Sequence, residues 1–345
     1  METNLTPHSE PNPAAGADPA ASRTPEMTET PEAPEAIETP EAPETIEAPE
    51  TPEHSELPAA ANKPFPTFGD LLALLGIVLG SLIVVGLLLK LVAGLAGVQL
   101  VEPEDPAQVP AWQETFGRFT CICYLASMSI ALLGVLLYRR KRGGTGPVVS
   151  FSFARLNPMM LLWSFIFLFS VGIVIEPLLD KLSDANLPIG TGIWTLVMTV
   201  LFAPLFEELL CRGVVLGSLR QRYGVVTALL GSSLFFGVIH LSPALVINAC
   251  IMGLILGYIY LQTDSIWSSI LLHAANNLVA WLLLTYGGQQ RLLIDWIRLG
   301  VGEKHLWLYW VLIYIGALGI AGFSAWKAWK AIRQMKTAEK IGAAA

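Results

Sequence analysis

From Phe68 onward the chain alternates long apolar runs with short polar breaks. A membrane helix needs roughly 20 apolar residues to cross a hydrocarbon core of about 30 Å. Eight runs come close to this: Asp70–Val98, Phe116–Tyr138, Met159–Leu179, Ile193–Cys211, Val225–Leu241, Ala244–Leu261, Ile266–Tyr286 and Leu306–Trp326. The fifth and sixth are short and joined by Ser242-Pro243, as in a tight hairpin. The pattern predicts an all-α fold, a polytopic transmembrane helical bundle of about eight spans.

Lys and Arg placement sets the expected orientation. Arg139 to Arg142 follow the second run, Arg212, Arg220 and Arg222 the fourth, and Lys327, Lys330, Arg333, Lys336 and Lys340 the eighth. With eight spans these clusters share one side, which places both termini in the cytoplasm.

Before Phe68 the pattern vanishes. A glutamate recurs at every third position from Glu26 to Glu56, among Pro, Ala and Thr. Fourteen of the 28 acidic residues lie between Glu2 and Glu56, with Arg23 the one basic residue there, so the rest of the chain is net positive although the total is −7. Such a segment buries too little apolar surface to offset its ordering entropy, and a disordered tail is expected. It carries no apolar signal-peptide region, so the first apolar run is expected to act as a retained signal anchor.

The expected organisation is a disordered Pro/Glu-rich cytoplasmic tail over 1–66, N-terminal transmembrane helices over 67–190, a core that carries the polar residues at membrane depth over 191–286, and a last helix with a basic tail over 287–345. Cys121, Cys123, Cys211 and Cys250 all fall inside apolar runs without metal-type spacing, and read as small buried hydrophobes. Mean hydropathy is +0.56 and only 14% of residues are charged. A soluble domain carries about 25%. A lipid bilayer is the implied surroundings, and no nucleic acid partner is expected.

Charged groups inside membrane helices cost about 2.5–3.5 kcal/mol each on insertion scales, so those that occur mark candidate function. Pro204-Leu205-Phe206-Glu207-Glu208 leads to Arg212. Glu208 and Arg212, four apart, share a helix face and can pair, while Glu207 points about 100° away toward another neighbour. Pro204 should loosen the helix just before them. Phe236 and His240 lie one turn apart, and Gly237 between them would admit a close neighbouring helix. His273 and Asn277 share a face beside the small Ala274 and Ala275. Alone, each reads as interhelical glue or a satisfied ion pair. Together they fit water-driven acyl hydrolysis, with a glutamate base, a histidine that holds water or a metal, and donors to an oxyanion. There is no G-x-S-x-G nucleophile and no H-E-x-x-H zinc helix.

The ordered motifs E-E-x-x-x-R, F-x-x-x-H and H-x-x-x-N resemble the CPBP family, also called the Abi or CAAX-protease family, over roughly Ile193 to Leu284. The resemblance implies an intramembrane endopeptidase acting on a peptide or membrane-protein substrate. By motif position Glu207 is the base, His240 activates water or binds metal, His273 and Asn277 form the oxyanion site, and Glu208 with Arg212 supports them. The family is often labelled metalloprotease. The residue types permit zinc and equally permit a metal-free mechanism. Alternatives are a non-catalytic scaffold or bacteriocin-immunity protein, and a transporter with a midplane ion site. The expected setting is a bacterial plasma membrane, with Glu207 and Arg212 near the cytoplasmic end of their helix.

Overall fold

The computed structural model describes residues 65–105, 107–182, 192–286 and 293–344, all within one compact unit, Ala60–Ala345. Apart from its last two residues, the expected disordered tail lies outside them. The described residues form helices and no strand: α1 (Phe68–Leu95), α2 (Val109–Lys141), α3 (Pro158–Asp180), α4 (Ile193–Leu196), a π-helical stretch Val197–Phe202, α5 (Ala203–Glu208), a second π-helical stretch Leu209–Leu216, α6 (Gly217–Val238), α7 (Pro243–Thr263), α8 (Ile266–Tyr286), α9 (Leu293–Val301) and α10 (Leu306–Ala344). This is an integral membrane protein. Among the described residues seven helices are long and apolar enough to cross a bilayer.

Seven differs from the expected eight because Ile193–Val238 runs without an intervening loop. It is not straight. Gly224 interrupts it at φ 83° and ψ 179°, a conformation that a side chain would oppose. In an unbroken helix Arg212 and Phe236 would stand ~36 Å apart. Their guanidinium and ring are instead 4.9 Å apart, so the chain folds back at Gly224. The fourth and fifth expected runs are the two arms. The second arm, Val225 to Val238, is only ~21 Å long and does not cross a full hydrocarbon core by itself. The first arm continues past Cys211 to Tyr223. Glu207 therefore sits near the middle of its arm, and Arg212, 1% exposed, is inside the bundle. Both were expected near a helix end. The correction follows from the helical continuation through Arg220 and Arg222, which moves the end of the rod to Gly224.

Local chemistry fixes the entry and exit of each rod. Thr67 caps α1 by accepting from Asp70 N, while the Asp70 carboxylate accepts from Thr67 N at 2.7 Å. The same carboxylate binds Tyr138 and Arg142, tying the start of α1 to the end of α2. Asn157 caps α3, with Pro158 at its first turn. The loop before α3 lies over the start of α8. Its Ser150 carbonyl accepts from Ile266 N at 3.1 Å, its Ser152 carbonyl from Ser265 Oγ at 2.6 Å, and Phe153 stacks on Trp267. These contacts satisfy orphan groups at the α8 N-terminus and fix α8 along its axis, with His273 two turns further on. Leu87, Leu88 and Leu91 on α1 are more than half exposed, as lipid-facing residues are.

Candidate active site

The site begins with a missing hydrogen. In the π-helical stretch before α5, Ala203 N donates five residues back, to Met198 O. The next such bond would run from residue 204 to Thr199 O, but Pro204 has no N–H. Thr199 O accepts instead from Asn277 Nδ2 on α8, at 2.9 Å. A proline thus opens the helix one turn before the glutamates, and an asparagine from another helix closes the gap. A wide π turn is a frequent device at functional sites. The expected loosening at Pro204 takes this form.

Glu208 is fully buried between Arg212 and His273. Its Oε2 is 3.0 Å from Arg212 Nε, and its Oε1 is 3.0 Å from His273 Nδ1. The Arg212 Nε contact lacks the alignment of a hydrogen bond and is mainly charge against charge. Arg212 Nη2 donates to Gly253 O on α7 at 3.2 Å. The expected pairing of Glu208 with Arg212 is present.

Glu207 faces elsewhere, as the helical angle requires. Oε1 accepts from Tyr124 of α2 at 2.8 Å. Oε2 stands 3.7 Å from His273 Nε2, too far for a direct hydrogen bond. Glu207 is 8% exposed and Glu208 is sealed. One carboxylate is committed, and the other keeps acceptor capacity.

Three of the expected residues, Arg212, His240 and His273, meet around one ring. Phe236 lies edge-on to His240, with centroids 5.0 Å apart, and to His273, with centroids 5.6 Å apart, and it also carries the Arg212 guanidinium. Gly237 makes this possible, since a Cβ there would stand 2.2 Å from Cys250 Sγ and 2.8 Å from Val246 O. Helix α6 ends at Val238, so His240 lies in the turn before α7, where Leu241 has φ 63°. His240 Nδ1 is 2.8 Å from Phe236 O. A carbonyl can only accept, so Nδ1 carries the proton and a neutral ring presents Nε2 as an acceptor.

These six side chains and Phe236 lie within one short segment. That segment is similar to the Rce1-like family. Residues 189–279, about a quarter of the chain, match the family described as type II CAAX prenyl endopeptidase Rce1-like. A Bacillus subtilis (strain 168) protein named "Putative membrane peptidase YdiL" is 27% identical over 82 residues, which is 24% of this chain and 34% of that protein. The match therefore spans about a third of the relative's length. No solved structure matches. The family resemblance read from the three motifs holds.

Tyr124 lies outside the Rce1-like segment, and sequence reasoning missed it. Its signal was available, since it is a hydroxyl-bearing ring in the middle of the run Phe116–Tyr138. Cys211 is fully buried, as expected of an inert thiol. Among the described residues no three His, Cys, Asp or Glu side chains gather in a way that could hold a metal ion. Glu207 Oε2 and His273 Nε2 approach to 3.7 Å, a two-donor set, short of the three protein ligands that a zinc site uses. As placed among the described residues, this donor set does not fit zinc.

Proposed function

We propose that this chain is a CAAX-type intramembrane endopeptidase in which Glu207 activates water. The supporting observation is the division of labour between adjacent carboxylates. Glu208 is engaged on both oxygens, by Arg212 and by His273, while Glu207 holds one hydrogen bond and a partly open oxygen.

The chemistry follows from the tautomers. Water enters beside Glu207 Oε2 and donates one proton toward it and the other toward His240 Nε2. Glu207 takes the proton as the water oxygen attacks the peptide carbonyl carbon. His273 can stabilise the resulting oxyanion only by donating from Nε2. Since Nδ1 already donates to Glu208, His273 must then carry both protons. The charges balance in that state, with Glu207 and Glu208 against Arg212 and His273, which the low-dielectric interior demands. Asn277 supplies its second amide proton. Collapse of the tetrahedral intermediate breaks the C–N bond, and Glu207 returns its proton to the departing amine.

The substrate is a peptide or the terminus of a membrane protein, and the basic clusters favour cytoplasmic termini in a bacterial plasma membrane. The test is cleavage of a membrane-anchored peptide by the full-length protein and by Glu207→Gln in liposomes. Loss of cleavage with an unchanged unfolding temperature is expected. Cleavage at the wild-type rate by the variant would overturn the proposal.

A further inference from the structure

Away from the site, helices α3, α7 and α10 leave an open apolar groove of about 220 Å³. Its walls include Ile255 and Tyr258 from α7 and Ala328, Trp329 and Ile332 from α10. Ala325, Ala328, Trp329 and Ile332 recur at helical spacing, so one continuous face of α10 lines it. Trp329 also lines a second cavity, of about 400 Å³, with Lys330 and Arg333 on its wall. An apolar trough therefore leads directly to a basic end.

Two features single this place out from ordinary lipid-facing surface. Ser164 on α3 lines the trough, is 1% exposed, and has a hydroxyl with no hydrogen-bond partner among the described residues. Buried hydroxyls are almost always partnered, so this one lacks something that the described residues do not supply. At the basic end, the Arg333 guanidinium is held 3.9 Å from the Trp329 ring centroid. No ion pair engages Lys330 or Arg333 among the described residues. A tryptophan beside free cations is the composition of a membrane–water interface.

The three parts match the three parts of one molecule. We propose that the α3/α7/α10 groove is a binding site for a single anionic glycerophospholipid, with an acyl chain in the trough, an ester carbonyl on Ser164 and the phosphate on Lys330 and Arg333. An acyl chain fits the trough because its walls offer few polar partners. The ester carbonyl, an acceptor without protons, is the group that an unpartnered hydroxyl would bind. The phosphate is selected because clustered basic groups beside a tryptophan attract anionic lipid headgroups. The site is independent of the proposed catalytic machinery and carries none of its residues.

The test is native mass spectrometry of delipidated full-length protein, titrated in mild detergent with phosphatidylglycerol or phosphatidylcholine. One phosphatidylglycerol should be retained about 10- to 30-fold better than phosphatidylcholine, the ratio that two cations imply. The double variant Lys330→Gln with Arg333→Gln should bind the two lipids equally. Ala328→Trp, which fills the trough, should lose both, and Ser164→Ala, which removes only the hydroxyl, should weaken retention several-fold while folding normally. Free glycerol 3-phosphate should not displace the lipid. Equal retention of the two lipids by the wild type, full retention by the double variant, or displacement by glycerol 3-phosphate would overturn the proposal.

Discussion

Helix α2 carries two tyrosines that each donate to a buried carboxylate at 2.8 Å, Tyr138 to Asp70 and Tyr124 to Glu207. The two acids otherwise live differently. Asp70 accepts from Thr67 N, Thr67 Oγ1, Tyr138 and two nitrogens of Arg142, so both of its oxygens are filled. Glu207 has Tyr124, and the arginine nearest to it is paired with its neighbour Glu208. A carboxylate with every lone pair used holds helices together. One with lone pairs to spare inside a membrane is costly unless it acts on something. The same parts, an acid, an arginine and a tyrosine, give a clamp in one place and a candidate base in the other.

Substitutions test this contrast, beginning with the largest effect. Glu207→Gln should lower the cleavage rate by about 10²–10⁴-fold, the span of general-base contributions, with no loss of stability. Arg212→Met should act in the opposite way. It strands Glu208 as a buried charge, and removing one partner of such a pair costs about 3–5 kcal/mol, read as a lowered unfolding midpoint. Adding Glu208→Gln should restore part of that loss. Asp70→Asn should destabilise by about 1–3 kcal/mol through unsatisfied donors, yet leave the rate per folded molecule unchanged. A large rate defect in Asp70→Asn would erase the distinction between clamp and base.

Tyr124→Phe sharpens the comparison further. It removes one hydrogen bond to a charged carboxylate, worth about 1.5–3 kcal/mol, so a rate change of roughly 10- to 100-fold is expected, with the pH profile of cleavage displaced because the bond is made to the proposed base. The smallest effect concerns the π turn. Pro204→Ala returns an N–H able to reach Thr199 O, so it should make the Asn277 contact redundant. In a double-mutant cycle, Asn277→Ala should cost less in the Pro204→Ala background, by about 0.5–1 kcal/mol. Additive costs would remove Asn277 from its structural role and leave it only the oxyanion.

Much of this site was legible from spacing. The Glu208–Arg212 pair follows from four-residue periodicity, and the divergence of Glu207 from the 100° step between neighbours. Gly237 announced a close approach, and Cys250 and Val246 make it. The contacts of Tyr124 and Thr199 were not legible, because each joins residues some 80 positions apart. His273 was expected to face an oxyanion. Its position between two glutamates, 65 and 66 residues earlier, depends on how α8 slides against α5.

The apolar runs alone determined that this chain is a membrane-embedded helical bundle. A bilayer offers no partner for free backbone groups, so an apolar run of sufficient length has little choice but to be a helix. The buried polar residues alone marked where function concentrates, because their insertion cost is only partly offset within their own helices, by the Glu208–Arg212 pair. Tertiary structure decided the rest. The backbone at Gly224 turned one long helical stretch into two arms, brought Arg212 against Phe236, and moved Glu207 from a helix end to the middle of the bundle. It also decided which partners from other helices the two glutamates meet, His273 for Glu208 and Tyr124 for Glu207. Charge compensation depends on distances of a few ångströms between helices, and periodicity along a single chain carries no such distance.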